Sequence, residues 1–295
     1  MLNKTLERYT AITEEKLGQI VKQESDLLQN TVFDSMRYSL FSGGKRIRPA
    51  LVLGFCSALG GDEKKALPFA AAIELIHTYS LIHDDLPCMD DDDMRRGRPT
   101  NHVVYGEATA VLAGDGLLNR AYEAVFSEET VELVGAKTAI EAGRVLAGAA
   151  GVYGMIGGQI IDMENEGKES SAETVNRLNE LKTGALIKAA AVMGCIAAGA
   201  NETQIKAAEL YASCIGQAFQ IIDDILDVVG DAEVFGKPIG SDADNNKTNY
   251  VTLYGLEKAS KMAFELTQKA KNTLDVFEKP QFLAELADML YERNK

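Results

Sequence analysis

The chain has 295 residues, 46% of them hydrophobic and 25% charged, with only six prolines and no Pro/Gly/Ser-rich linker, so residues 1–295 read as one globular domain. Its 44 acidic residues outnumber 30 basic ones, for a formal charge of −14. That balance argues against nucleic acid as a partner, because backbone binding needs a basic surface. An anionic ligand would have to be met by local cationic patches or metal ions.

In chain order, apolar residues recur at three- and four-residue spacing almost throughout. Leu6, Tyr9, Ile12, Leu17, Ile20 and Val21 predict a first helix, and Val32, Met36, Leu40 and Phe41 a second, ended by Gly43-Gly44. Pro49 opens a third that runs to Leu59 and stops at Gly60-Gly61. Further helical runs cover Pro68 to His83, Gly106 to Phe126, Thr130 to Ile161, Ala172 to Ala200 and Glu202 to Val229. Alternating strands of useful length are absent, so the fold class is all-α, with about ten or more helices. Ala147 to Gly158 is apolar nearly all round, which suits the centre of a bundle or a helix–helix interface between subunits. Two segments are dense in charge, Pro87 to Asn101 and Gly230 to Asn249, and the second is the candidate lid.

The nearly uncharged stretch Ala189 to Ala200 is too short to cross a bilayer, and no stable membrane association is expected. The first eight residues lack the apolar run of a secretory signal, and cytoplasmic residence is the expectation. None of the four cysteines forms a CxxC pair or a zinc spacing with histidine. Cys56, Cys195 and Cys214 lie in apolar runs and read as buried thiols, whereas Cys88 sits in a loop between aspartates.

Two aspartate clusters carry the chemistry. The first is Asp84-Asp85-Leu86-Pro87-Cys88-Met89-Asp90 and the second is Asp223-Asp224-Ile225-Leu226-Asp227. Like charges a turn apart repel, aspartate is a poor helix former, and the apolar flanks add a desolvation cost. Asp84 and Asp85 also sit at a helix C-terminus, since Pro87 disfavours helix before it and the macrodipole opposes negative charge there. Such clusters call for a cation. Hard carboxylate oxygens suit magnesium, which keeps waters and shares its remaining positions with substrate phosphates. For Asp91, Asp92 and Asp93 a solvated acidic loop is the plainer reading. Asp223 and Asp227 are four apart and share a helical face, joined by Gln220.

The candidate cations are weaker individually. Lys45, Arg46 and Arg48 follow the Gly43-Gly44 turn at a helix start, which favours anions. Arg95-Arg96-Gly97-Arg98 follows the first cluster and reads equally well as a diphosphate contact or as a salt-bridged loop with Asp90 to Asp93. Lys182-Thr183 interrupts an apolar rhythm, and Lys237 and Lys247 lie downstream of the second cluster. His83 reads as a core histidine, while His77, two turns before Asp84, is placed to reach a second anion. No Ser-His-Asp order, HExxH, P-loop or GxGxxG is present in a convincing context.

As a set these features resemble the trans-isoprenyl diphosphate synthases. The first cluster looks like that family's first aspartate-rich motif in its DDxxxxD form and the second like its DDxxD motif. Gly43 to Pro49, Arg95-Arg96-Gly97, Gly158-Gln159-Ile160-Ile161-Asp162, Lys182-Thr183, Phe219-Gln220 and Gly236-Lys237 follow in family order. The resemblance spans about residues 37 to 255. It implies an all-α bundle around a deep central cavity, a homodimer, and head-to-tail 1′-4 condensation of isopentenyl diphosphate with an allylic diphosphate. By the same resemblance Asp84, Asp90 and Asp223 would hold magnesium, three ions per site with manganese as a substitute, supported by Asp85, Asp224 and Asp227. Arg95, Lys182, Thr183, Gln220 and Lys237 would contact the allylic substrate, and Lys45, Arg48, His77 and Arg96 would bind isopentenyl diphosphate.

Tyr79 stands five residues before Asp84, about 7.5 Å along a helix, where a growing prenyl tail would meet the ring. An aromatic there, together with the two-residue-longer first motif, resembles the bacterial farnesyl-forming type, and small Ser80 beside it leaves room on the adjacent face, so a C15 product from dimethylallyl or geranyl diphosphate is expected. A C20 geranylgeranyl diphosphate synthase is the nearest rival. A terpene cyclase, a non-catalytic partner subunit and a magnesium-dependent diphosphohydrolase stand further off.

Overall fold

The computed structural model describes residues 2–23, 27–229 and 248–292. Lys237, Lys247 and most of the second charged segment lie outside the described residues. Fifteen α-helices account for most of the described chain. They are α1 (Leu2–Ile20), α2 (Asn30–Leu40), α3 (Ile47–Ala58), α4 (Glu63–Asp84), α5 (Asn101–Tyr105), α6 (Glu107–Phe126), α7 (Glu128–Val134), α8 (Ala136–Ala150), α9 (Met155–Asn165), α10 (Ala172–Asn179), α11 (Ala185–Ala197), α12 (Glu202–Val229), α13 (Tyr250–Tyr254), α14 (Leu256–Asn272) and α15 (Gln281–Glu292).

The most apolar helices occupy the centre. In α3 the run Ala50 to Cys56 is buried, and in α11 nearly every side chain from Leu186 to Ala197 is. Both pack against α4, whose Phe69 to Ile76 segment is buried on all sides. Helices without a polar stripe can satisfy their surface only by being surrounded, and here α1, α6, α8, α12 and α15 do the surrounding. Helix α4 starts on a conventional cap, the Asp62 carboxylate accepting from the Lys64 amide at 3.0 Å. Pro68 lies inside the helix, in its second turn, where it removes one backbone hydrogen bond. Helix α12 has 28 residues and is about 42 Å long, enough to run from the core to the second aspartate cluster at its C-terminal end.

Several expectations need correction. The run read as Thr130 to Ile161 is cut twice. Gly135, with φ of 84°, separates α7 from α8, and a turn over residues 151–154 separates α8 from α9. Ala147 to Gly158 is therefore not a central helix. It bends at the surface, where Val152 and Tyr153 are 67% and 89% exposed. The charged loop after Asp84 contains a short antiparallel ladder, Met94–Arg95 with Arg98–Pro99, too brief to show as an alternating pattern. The stretch Ala172 to Ala200 contains a π-helical turn, Glu180–Gly184, between α10 and α11. The three thiols expected to be buried, Cys56, Cys195 and Cys214, are buried and free, and Cys88 is exposed. His83 bridges α4 to α6 instead of sitting in the core, its Nε2 donating to the Val111 carbonyl at 3.0 Å.

Arg46 ties the N-terminal helices to the centre. Its side chain is 1% exposed, donating to Glu74 of α4 at 2.8 Å, to the Leu40 carbonyl at 2.6 Å and to Glu14 of α1 at 3.1 Å. Its backbone is left-handed, with φ of 47°, a conformation costing a non-glycine residue about 1–2 kcal/mol. The side-chain anchors hold that strain in place. Replacing Arg46 by Ala would leave Glu74 buried without its cation, and the expected loss is about 3–5 kcal/mol in denaturant unfolding. A change under about 1 kcal/mol would show that Glu74 finds another partner.

Candidate active site

The first aspartate cluster is folded back on itself. After α4 ends, the Asp90 amide donates to the Asp84 carbonyl at 2.8 Å and the Asp91 amide to the Leu86 carbonyl at 3.1 Å. The six-residue loop thereby returns Asp90 to the helix end that carries Asp84. Asp84 and Asp85 are buried, whereas Asp90 is exposed. The hairpin that follows turns through Arg96 and Gly97, both with positive φ, as a two-residue hairpin turn requires. It sends Arg95 and Arg96 in different directions. Arg95 forks onto Asp85, with Nε and Nη2 at 2.7 and 2.6 Å from Oδ1. Burial pushes the Asp85 carboxyl up, and Arg95 pulls against it. Of the two local readings of this arginine run, the salt-bridged loop is the one the contacts show. Arg95 is salt-bridged to the acidic loop, with Asp92 a further 3.5 Å partner, and is held beside Asp84.

Arg96 reaches the other way and donates to the Gly43 carbonyl. A Cβ on Gly44 would stand 2.8 Å from the guanidinium, and its φ of 126° is already glycine's alone, so the Gly-Gly turn is what admits this arginine. Arg48 and His77 lie within the same field. Burial lowers the Arg48 pKa, with Glu74 opposing and Arg96 adding to the effect. The Arg48 Nε is buried with no hydrogen-bond partner. His77 sits well below the ordinary imidazole value because of burial first and then the charges of Arg48, Arg96, Arg95 and Arg46. An unpartnered buried guanidinium N–H among other cations is a group suited to an anion. Lys45 is exposed and lines a groove of about 490 Å³ with Glu285, Asp288 and Glu292 of α15.

Lys182 and Thr183 belong to the π-helical turn, a local distortion often found at functional sites. The turn lies between α9 and α12. A Cβ on Gly158 of α9 would stand 2.2 Å from the Lys182 amide nitrogen, so only glycine lets the two segments meet. This approach brings the Lys182 ammonium 2.6 Å from Asp162 and 3.7 Å from Asp84, while the Gln159 amide donates to Asp84. Gln159 and Asp162 stood inside a recognised motif, yet sequence reasoning gave them no role. Their i, i+3 spacing, which puts both on one face of α9, was the available signal.

On α12, Asp223, Asp227 and Gln220 are half-buried and Asp224 is buried. Asp224 does not share the face of Asp223. Its oxygens accept from the Gln220 side chain at 3.0 Å and from the Tyr250 amide at 2.8 Å. Tyr79 is buried at 5% exposure on the α6 side of α4, its ring edge-on to His83 at 5.6 Å and its hydroxyl without a hydrogen-bond partner. Ser80 bonds the His77 carbonyl at 2.8 Å.

Among the described residues no three carboxylate, histidine or cysteine side chains converge into a closed metal cage. The donors nonetheless fit magnesium of the shared kind. Asp84 and Asp90 are brought to one helix end, and the Lys182 ammonium already lies beside Asp84 where positive charge is needed. Water and substrate phosphate oxygens would complete such a shell. Asp85 and Asp224 are committed to Arg95 and Tyr250, so the supporting roles expected of them fit less well.

An all-α bundle with two aspartate clusters and two sets of basic side chains suits a class of diphosphate-handling helical enzymes. Residues 29–286 match the polyprenyl synthetase family, and the chain belongs to it. A geranylgeranyl diphosphate synthase of Cyanophora paradoxa is 45% identical over 265 residues, covering 89% of this chain and 88% of the relative. A farnesyl diphosphate synthase of Bacillus subtilis is 43% identical over 292 residues, covering 99% and 95%. Among solved structures, an FPP/GFPP synthase from Zymomonas mobilis superposes with a TM-score of 0.87 at 36% identity, covering 98% of each chain.

Two outcomes test this geometry. Gly158→Ala should push α9 off the π-helical turn, cutting turnover about 100-fold while leaving the helical circular dichroism intact, because a displacement near 1 Å at a positioned group costs that much. Wild-type turnover in this variant would show the approach to be incidental. His77 should remain neutral where an exposed imidazole titrates, near 6.5. Because folding disfavours the charged ring, the unfolded chain takes the extra proton, and stability from this group is lost as pH falls below that value. Added inorganic diphosphate should raise the His77 titration in NMR. A free-enzyme midpoint near 6.5 would contradict the buried cationic setting.

Proposed function

We propose that the chain is a prenyltransferase of 295 residues acting as a single domain, and that it makes (2E,6E)-farnesyl diphosphate from isopentenyl diphosphate and dimethylallyl or geranyl diphosphate. The observation that supports two diphosphate substrates is the split of the basic residues. Arg95 and Lys182 stand with Asp84 and Asp85, whereas Arg96 turns toward Gly43 and the field of Arg48 and His77. A terpene cyclase needs one such anion site.

Asp84, Asp90 and Asp223 would hold magnesium, which when bound supplies positive charge to the departing diphosphate. Arg95, Lys182 and Thr183 would add donors to the same leaving group, a role the family resemblance also gives Lys237. Arg48, Arg96, Lys45 and His77 hold the diphosphate of the attacking isopentenyl unit so that its double bond faces the ionising carbon. His77, kept neutral, can donate one N–H to a phosphate oxygen without titrating. Packed apolar side chains exclude water, which would otherwise quench the allylic cation as an alcohol. The released diphosphate is the proton acceptor in this reading.

The C15 assignment rests on Tyr79, whose ring is buried one and a half turns below Asp84. Burial pushes its hydroxyl up to about 12, so it is a neutral wall and no acid. The alternative is a C20 product by the same chemistry, since relatives of both names are similarly close. Chromatography of products from labelled isopentenyl diphosphate should show a C15 alcohol after dephosphorylation. Tyr79→Ala should shift it to C20 or longer. A wild-type C20 product, or an unchanged C15 product in the variant, would remove the assignment.

A homodimer is part of the proposal. Val111, Leu112, Ile140, Ile156, Ile160 and Met163 expose apolar side chains along α6, α8 and α9. The stretch Ala136–Asn165 is apolar enough by composition to cross a membrane but is broken at residues 151–154, so a second subunit suits it better than a bilayer. No nucleic acid or membrane is needed. Four free cysteines suit a reducing, cytoplasmic setting.

A further inference from the structure

The two adjacent carboxylates of the second cluster look equivalent in sequence and are not equivalent in the fold. Consecutive helical residues are about 100° apart around the axis, so Asp223 and Asp224 cannot face the same point. Asp223 and Asp227 lie on the half-buried face of α12, and Asp224 is turned into the second apolar cluster, beside Ile221, Ile225 and Tyr250, at 4% exposure. A carboxylate there must be fully hydrogen-bonded to be tolerated. Oδ2 accepts the Tyr250 amide at 2.8 Å, the first amide of α13, and Oδ1 accepts the Gln220 side-chain amide at 3.0 Å.

Tyr250 extends the connection. It is 1% exposed, and its hydroxyl donates to Asn176 of α10 at 2.7 Å and accepts from Gln217 of α12 at 3.2 Å. Asn249 before it is the N-cap of α13 and forms a reciprocal pair with Thr252, each side chain accepting the other's amide at 3.0 and 2.9 Å. Asp224 therefore lies at the junction of α10, α12 and α13. Because a carboxylate only accepts, the Gln220 amide is oriented with its nitrogen toward Asp224, which leaves its oxygen as an acceptor.

We propose that Asp224 is a positioning residue and not a magnesium ligand. It pins the start of α13 to α12 and sets the orientation of Gln220 beside Asp223. This assignment rests on the prenyl-transfer reading for its effect on turnover, but its structural half does not.

The test separates the two. Asp224→Ala, Asp224→Asn and Asp223→Asn are compared by amide hydrogen exchange over Tyr250–Tyr254 and by turnover against magnesium concentration. Losing a hydrogen bond to a charged group should speed Tyr250 exchange about 10- to 100-fold in Asp224→Ala. Turnover should fall with the half-saturating magnesium concentration unchanged. Asp224→Asn keeps an acceptor oxygen for the Tyr250 amide and should restore most of the exchange protection, while its amide nitrogen turns Gln220 round, so turnover should recover only in part. Asp223→Asn should raise the magnesium requirement about tenfold or more and leave Tyr250 exchange as it was. Should Asp224→Ala not fold, Tyr250→Phe removes the Asn176 bond while keeping the carboxylate, and the same pattern is expected in milder form. The proposal is overturned if Asp224→Asn raises the magnesium requirement as Asp223→Asn does, or if Tyr250 exchange is the same in every variant. A wild-type chain without prenyl transfer would sink the functional reading alone, since the exchange comparison still decides what Asp224 holds.

Discussion

Carboxylate repulsion at the end of α4 is the constraint around which the rest is arranged. Asp84 and Asp85 are buried side by side at a helix C-terminus, where the dipole adds to the penalty. The fold answers with cations brought from far along the chain: Arg95 by a hairpin turn, and Lys182 by a π-helical turn pressed against Gly158. Each device is locally unfavourable. A hairpin with Arg96 at φ of 53° and a helix with a register fault both cost energy, and both become tolerable because they neutralise a buried acid. The same cations are those a diphosphate would require once it arrives with its own negative charge.

Much of this was readable in the residues because helical period and charge conflict are strong signals. Helix α12 runs over Glu202–Val229, the bounds its spacing predicts. The aspartate clusters, the Gly43-Gly44 turn and the basic residues were found because each breaks an apolar rhythm. What escaped is governed by contacts distant in sequence. The breaks at Gly135 and at residues 151–154 fall in a stretch where Ala and Gly keep the helical period going. The π-helical turn changes register by one residue, which no periodicity detects in five residues. The ladder at Met94–Arg95 has two residues per strand, below any alternation signal.

The sharper lesson concerns paired residues. Asp84-Asp85 and Asp223-Asp224 read as doublets in which the first member holds magnesium and the second supports it. In the fold each doublet divides its labour, because neighbours on a helix diverge by about 100°. Asp84 meets Gln159 and Lys182, while Asp85 meets Arg95. Asp224 meets Tyr250 and Gln220, on a different face from Asp223. One member of each pair is engaged in holding a neighbouring element, and that engagement keeps its partner residue in place.

A net charge of −14 would seem to repel diphosphate substrates, yet bulk charge is not the field they meet. Burial first, and then the charges of Arg48, Arg96, Arg95 and Arg46, holds His77 well below the ordinary imidazole value. The guanidinium groups near the half-buried His77 ring concentrate positive potential locally, whereas much of the acidic excess lies on exposed helix faces that salt screens within about 10 Å. Arg46 shows how the two scales connect. Its own charge is balanced by Glu74 and Glu14, and those acids belong to the framework. The balance lets the neighbouring Arg48, with its unpartnered Nε, face the site as a cation still in need of an anion.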